Sequence, residues 1–283
     1  MKILGTGLLG LVGSRIFELL GNTYEFEASE TDITDREEIT DRIKSSDASI
    51  VLHLAAKADV DGCEKDKELE ENGDAWKVNV SGTKNIAEAC DKTGKKLIYV
   101  STDFVFDGTS KIPYSEEDSP NPLNWYAKTK YEGEKIVQGL STPWIIVRLA
   151  YPYRARYERH DFFRAMLNKL EKKESIEAVE DHIITPTFID DIAFALGGLI
   201  NLDASGIFHV VGDQSLSPYD AASLIAKEFN QDQSLIIKTS REEYFKGRAL
   251  RPLYLGLKND KIEKLGLTMK SFEEGLIEIK KQL

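Results

Sequence analysis

Cysteine is scarce in this chain: two in 283 residues, Cys63 and Cys90, with no C-x-x-C pair and no histidine and cysteine cluster at metal-ligand spacing. That excludes a disulfide scaffold and argues against a zinc site, so no metal ligand is assigned. Positive charge is in deficit, with 37 Lys and Arg against 48 Asp and Glu for a net charge of −11, a balance that repels nucleic acid and anionic membrane. No apolar run reaches membrane-spanning length, and the N-terminus lacks a basic stretch followed by an apolar core and a small-residue cleavage site. The expectation is a cytoplasmic protein without nucleic-acid or membrane partners. Repeats and low-complexity tracts are also missing, and the length suits one large domain with a smaller one beside it.

What the first half does have is alternation. EFEAS near 25, SIVLHLA near 49, KLIYVST near 96 and WIIVRLA near 144 read as strands, separated by the helical stretches DREEITDRIKSS, DAWKVNVSGTKNIAEACDKTG and WYAKTKYEGEKIVQGL. Strands apolar on both faces, alternating with helices, predict an α/β fold with a doubly wound parallel sheet and ligand sites at the carboxyl ends of the strands. The charge run from Lys65 to Asp74 reads as a solvated loop or helix face. After about Ala150 the pattern loosens, GIFHVVG near 206 reads as one more strand returning to the large sheet, and the rest, from Ser215 to Leu283, reads as mainly helical. The resulting division is residues 1–150 with 187–212 as the large domain, and 151–186 with 213–283 as the smaller one. The aromatic and basic stretch Tyr151 to His160 is either an anion grip or a surface loop whose arginines pair with local carboxylates.

The chain opens on an apolar run, MKILGT, then a glycine turn and the helical pattern SRIFELL. Glycines permit positive φ and close backbone approach, and the amides at the helix start can then hold a pyrophosphate. Two registers compete: Gly5, Gly7, Gly10 spell G-x-G-x-x-G, while Gly7, Gly10, Gly13 spell G-x-x-G-x-x-G. The second is preferred because the first leaves too short a strand.

Residues 101–108 read STDFVFDG, and Tyr126 and Lys130 follow at helical i, i+4 spacing. An ammonium on the same helix face as a phenol favours the ionised phenol, whose ordinary pKa is about 10. Such a phenol can protonate a carbonyl oxygen while a hydride arrives at its carbon, and the hydroxyl of Thr102 can hold that oxygen.

These motifs resemble, from end to end, an extended short-chain dehydrogenase/reductase of the dTDP-4-dehydrorhamnose reductase family. GLLGLVG at 7–13, Asp32-Ile33-Thr34-Asp35, His53-Leu54-Ala55-Ala56, Asn79-Val80, STDFVFDG, YAKTK, DHIITPT at 181–187 and RPLYLGL at 251–257 carry the likeness. It implies a Rossmann fold with a smaller mixed α/β substrate-binding domain, and NAD(P)H-dependent reduction of a nucleotide-activated 4-keto-6-deoxy sugar. Thr102, Tyr126 and Lys130 would be catalytic, with Tyr126 as general acid, and Lys130 would also bond the nicotinamide ribose. The cofactor would lie against Gly7, Gly10, Leu11, Val12, Gly13, Ser29, Asp32, Ile33, Leu54, Ala55, Ala56, Asn79, Ser101, Tyr126 and Lys130. The sugar would meet Thr102, Asp103, Phe104, Tyr151 and Arg251.

The chain departs from the family pattern at His182 and Ile184, at Tyr151 where a tryptophan is usual, and at Lys57 where an aromatic residue is usual. Those changes leave the sugar and nucleotide open. Glu30, after the second strand, favours NADH by repelling a 2′-phosphate, and Arg15 argues the other way, so either cofactor is expected. His53 reads as a hydrogen-bonded core histidine. Two alternatives share the subgroup's motifs: a non-catalytic subunit resembling the regulatory subunit of methionine adenosyltransferase, and a sugar nucleotide epimerase or dehydratase. Pairing as a homodimer through helices is a family habit.

Overall fold

The computed structural model describes residues 1–283. Six parallel strands form the main sheet in the order β2-β1-β3-β4-β5-β9: β1 (Lys2–Thr6), β2 (Glu25–Ser29), β3 (Ile50–His53), β4 (Lys96–Thr102), β5 (Trp144–Leu149) and β9 (Gly206–His209). The expected return of GIFHVVG to the large sheet is met by β9, which pairs with β5. Between the strands run α1 (Leu11–Leu20), α2 (Arg36–Ser45), α3 (Val60–Lys65), α4 (Asp74–Trp76), α5 (Thr83–Thr93) and α6 (Trp125–Gln138).

Strand periodicity builds the core. Ile3, Leu52, Ile98, Ile145 and Val147 face one side with α1, while Leu4, Val51, Leu97, Tyr99 and Ile146 face the other with α2 and α5. The first side is completed by α8 (Ile189–Asn201), through Ile189, Ile192, Leu196 and Leu199. Edge strand β2 stays half-exposed and carries Glu25 and Glu27, charges that discourage pairing with another chain.

A second core gathers Tyr153, Phe163, Leu167, Phe188, Ile225 and Phe272. It is built from β6 (Pro152–Tyr153), α7 (Phe162–Glu171), β7 (Ile176–Val179), β8 (Thr187–Phe188), α9 (Pro218–Glu228) and α12 (Phe272–Gln282). The C-terminal stretch is less helical than its pattern suggests: β10 (Ile236–Thr239) pairs in parallel with β7, and only the short α10 (Arg241–Tyr244) and α11 (Asp260–Glu263) lie between β10 and α12. β10 is half-exposed, so its burial pattern carries little strand signal.

The long helical stretch before β4 is continuous but not uniform, since a π-helical segment, Lys77–Gly82, joins α4 to α5. Ahead of it the charge run forms a 3-10 segment, Lys67–Asn72, with no buried residue. Two acids near it hold structure all the same: Asp66 accepts from the Ala75 amide at 2.5 Å and Glu64 from the Trp125 amide at 2.7 Å, at the start of α6. Both cysteines are buried free thiols, and no helix is long and apolar enough to cross a membrane.

Candidate active site

β1 ends at Thr6, and the chain turns through Gly7, whose φ of 71° lies in the left-handed region. A Cβ there would come within 2.6 Å of the Ala55 nitrogen, so glycine is what lets the turn lie against the loop after β3. Gly10 donates to the Gly7 carbonyl at 3.1 Å and precedes α1 without any side-chain cap. A Cβ on Gly13 would meet the same carbonyl oxygen at 2.6 Å. Gly7, Gly10 and Gly13 therefore build the turn, as the preferred register had it, while Gly5 stays inside β1. Leu11, Val12 and Gly13 head a helix whose leading amides no side chain covers, an arrangement suited to a pyrophosphate.

The neighbouring strand ends extend this cradle. A cavity of about 380 Å³ opens between Gly7, Leu8, Leu9, Ala28, Ser29 and Glu30, and the buried hydroxyls of Ser29 and Ser101 have no partner. Asp32 accepts from the Thr34 amide and hydroxyl, both at 2.8 Å, which pins its own turn, and Asp35 is the residue that caps α2. Ile33 is buried, and Gly82 is the neighbour whose Cβ it would strike at 2.7 Å. Leu54, Ala55 and Ala56 form the loop after β3. Asn79, in the π-helical segment, holds that loop by accepting from the Lys57 amide at 2.9 Å and donating to the Lys57 carbonyl and the Thr129 hydroxyl, both at 3.0 Å. The glycine cradle, uncapped helix and orphan hydroxyls fit a dinucleotide. Asn79 fits as the support of the loop, its amide being fully engaged with the protein.

The catalytic candidates meet where β4 ends beside α6. Asn124 caps α6 by accepting from the Ala127 amide at 2.9 Å, which sets Tyr126 in the first turn and Lys130 one turn on. Thr102 donates to Asp103 Oδ1 at 3.0 Å and accepts from the Phe104 amide at 3.3 Å. The other oxygen of Asp103 is buried without a partner, and burial pushes this carboxyl up to about 7. The Tyr126 ring stands edge-on to Phe104 at 6.2 Å.

One expectation needs correcting. Burial raises the Tyr126 phenol above its ordinary range, more than the Thr102 hydroxyl lowers it, and Asp103 adds to the rise. Lys130 donates to the Val100 carbonyl at 2.8 Å and lies 4.1 Å from the Tyr99 ring centroid, so the strand engages one of its three N–H donors. Burial brings Lys130 down to about 7, against the opposing pull of Glu134. Glu134 itself is locked in a fully buried bidentate pair with Arg148 of β5, at 3.0 and 2.7 Å.

A cavity of about 340 Å³ adjoins this cluster, with Phe104, Tyr151, Phe162, His182, Arg248 and Arg251 among its walls. Tyr151 takes a φ of 40° just past β5, and its hydroxyl bonds His182 Nε2 at 3.1 Å. Burial draws His182 down to about 4. Arg251 pairs with Asp61 at 2.5 Å. Thr102, Asp103, Phe104 and Tyr151 are thus brought together, with Arg251 across the cavity.

In the stretch Tyr151 to His160, Arg154 bonds Glu18 and Ser14 of α1, both at 2.9 Å, Arg156 bonds the Leu283 carbonyl, and with Arg15 both line a cavity of about 1020 Å³. Arg15 is likewise held, by Asp190 at 2.6 Å and Glu18 at 2.9 Å. His53 is the buried core residue expected, between Thr6 at 2.8 Å and Thr83 at 3.1 Å, and burial lowers it to about 3. Sequence reasoning missed Asp61, Glu134 and Arg148. Their types carry no signal, since each is a charge in a highly charged chain.

The whole chain, residues 1–283, matches the family model described as RmlD substrate binding domain. The Escherichia coli dTDP-4-dehydrorhamnose reductase is 30% identical over 240 residues, covering 81% of this chain and 78% of that protein. The Streptomyces niveus dTDP-4-keto-6-deoxy-D-glucose reductase is 30% identical over 270 residues, covering 93% and 90%. Among solved structures, dTDP-4-dehydrorhamnose reductase from Bacillus anthracis in complex with NADP superposes with a TM-score of 0.91 at 30% identity, over 100% of this chain and 99% of that one.

Proposed function

The chain belongs to the RmlD substrate binding domain family, and from that premise we propose that it is an NAD(P)H-dependent reductase of a nucleotide-activated 4-keto-6-deoxy sugar, acting in the cytoplasm. The observation that carries this reading is the meeting of Thr102, Tyr126 and Lys130 at the end of β4, between an uncapped glycine cradle and a cavity walled by Phe104 and Tyr151. Residues 1–150 and 187–212 hold the cofactor, and 151–186 and 213–283 hold the sugar nucleotide.

When bound, the reduced nicotinamide supplies the hydride. The chain's own part is acid catalysis and placement. A phenol is fully protonated at neutral pH, so Tyr126 carries the proton that the C4 oxygen of a keto sugar takes up, and the burial that raises its pKa makes the phenolate left behind the state that needs support. Thr102 orients that oxygen, and positioning of this kind lowers the barrier without any bond being formed. Lys130, near 7, retains enough charge at neutral pH to stabilise the phenolate left behind. Phe104 and Tyr151 exclude water from the sugar face.

Loss of NADH or NADPH absorbance in the presence of a dTDP-4-keto-6-deoxy sugar tests this. Turnover is expected, and Tyr126→Phe should lose about 10³-fold in kcat while cofactor affinity changes little. Comparable activity in that variant overturns the assigned role. Release of oxidised cofactor separates a reductase from an epimerase or dehydratase, which would retain it.

A further inference from the structure

Two arginines, Arg248 and Arg251, line the cavity beside Phe104 and Tyr151, and one carboxylate, Asp61, holds both. Asp61, in the first turn of α3, accepts from Arg248 through Oδ2, at 2.8 Å from Nε and 2.7 Å from Nη2. Its Oδ1 accepts from Arg251 Nη1 at 2.5 Å and from the Ala249 amide at 3.1 Å. Both guanidiniums also lie over the Phe245 ring, at 5.2 and 4.9 Å from its centroid. Two cations stacked on one ring repel unless an anion sits between them, and Asp61 is that anion. Arg248 and Arg251 draw its carboxyl down to about 2, overcoming the upward push of burial, so it stays charged at neutral pH.

The two arginines are not equivalent. Arg251 is 8% exposed and is also anchored by donating to the Ala249 carbonyl at 2.7 Å, whereas Arg248 is 44% exposed and is tied at its guanidinium to Asp61. Guanidiniums bind phosphate in the same bidentate geometry that they use for carboxylate. We propose that Asp61 takes the guanidinium face that a phosphate would use, and that the diphosphate of a nucleotide sugar takes Arg248 from it while Arg251 stays paired. Arg251 then keeps Asp61 neutralised when Arg248 leaves, so no buried charge is stranded. Asp61 acts as a specificity-determining residue: a monoanion competes poorly with a carboxylate already in place, and a diphosphate competes well. The inference rests on the nucleotide-sugar reading above.

Asp61→Asn keeps the acceptor for the Ala249 amide and removes the charge. Titration calorimetry with dTDP should show binding about fivefold tighter or more, because Arg248 is no longer held and the incoming charge is no longer repelled. Inorganic phosphate should compete with dTDP in the variant far better than in the native protein. Unchanged or weaker dTDP binding overturns the proposal, since Asp61 would then be a scaffold for the arginines. Arg248→Gln, at a largely exposed position, decides the matter if Asp61→Asn does not fold: dTDP affinity should fall about tenfold, and an unchanged affinity overturns the proposal. A native protein that binds no dTDP overturns it as well. Should dTDP behave as expected while no keto sugar nucleotide is reduced, the reductase reading fails and the assignment of Asp61 stands.

Discussion

Gly7 and Tyr151 each follow a strand of the same sheet, each with a positive φ, and they solve opposite problems. At Gly7 the chain removes a side chain so that backbone can press against Ala55 and leave room for a ligand. At Tyr151 it keeps a large one in a conformation that costs a non-glycine residue about 1–3 kcal/mol. That cost is offset by the Thr187 amide bonding the Tyr151 carbonyl at 3.2 Å and by ring contacts to Phe104, Phe162 and His182. The glycine turn is thus shaped by backbone, and the cavity beside Phe104 by a large side chain held in a costly conformation.

The contrast predicts where each side breaks. The largest loss of stability is expected from Glu134→Gln, which strands Arg148 beneath the β4 and β5 ends: urea unfolding should show about 3–5 kcal/mol lost, largely recovered when Arg148 is also made Met. Gly7→Ala should cost about 2–4 kcal/mol by thermal melting and abolish NADH binding in a fluorescence titration, with dTDP affinity kept. Were dTDP binding lost too, the two sides would not be separable.

Acid should weaken both sides together. His53 is held at about 3 and His182 at about 4, below the value of about 6.5 expected when unfolded. The unfolded chain therefore takes up protons first as pH falls through that window, and stability drops with it. Asp103, raised to about 7, gains stability as it takes up its proton over the same window and offsets part of that loss, so the melting temperature should fall by about 2–5 °C between pH 7 and pH 4.5, and His182→Gln should blunt the fall. The smallest effect is expected at Glu30, beside the Ser29 cavity: Glu30→Gln should raise kcat/KM for NADPH relative to NADH by about 3–10-fold, read from initial rates.

The same contrast explains what could be read from sequence. The glycine turn is legible because backbone geometry demands one residue type, and the sheet because burial on two faces demands apolar runs. Tyr126 and Lys130 are legible because i, i+4 spacing on a helix fixes their relation. The protonation of that pair is not, since burial sets the direction of each shift, opposed by Glu134 at Lys130 and by the Thr102 hydroxyl at Tyr126, none of which spacing encodes. Asp61 illustrates the rest: nothing in VDGCEK distinguishes it from a surface acid until Arg248 and Arg251 arrive from the far end of the chain.

The order of strands also carries a consequence for synthesis. A nascent chain that has reached Leu149 possesses β1 to β5, yet its outer neighbour β9 and the helix α8 that fills one face are still to be translated. Until Ile189–His209 emerge, the growing polypeptide presents a bare row of amides along β5 and an uncovered aliphatic surface around Ile98 and Val147. The N-terminal half therefore completes its fold only after residues 151–188 and the segment Ile189–His209 have been translated, which makes a fragment ending near residue 150 an aggregation-prone intermediate and not a separable module.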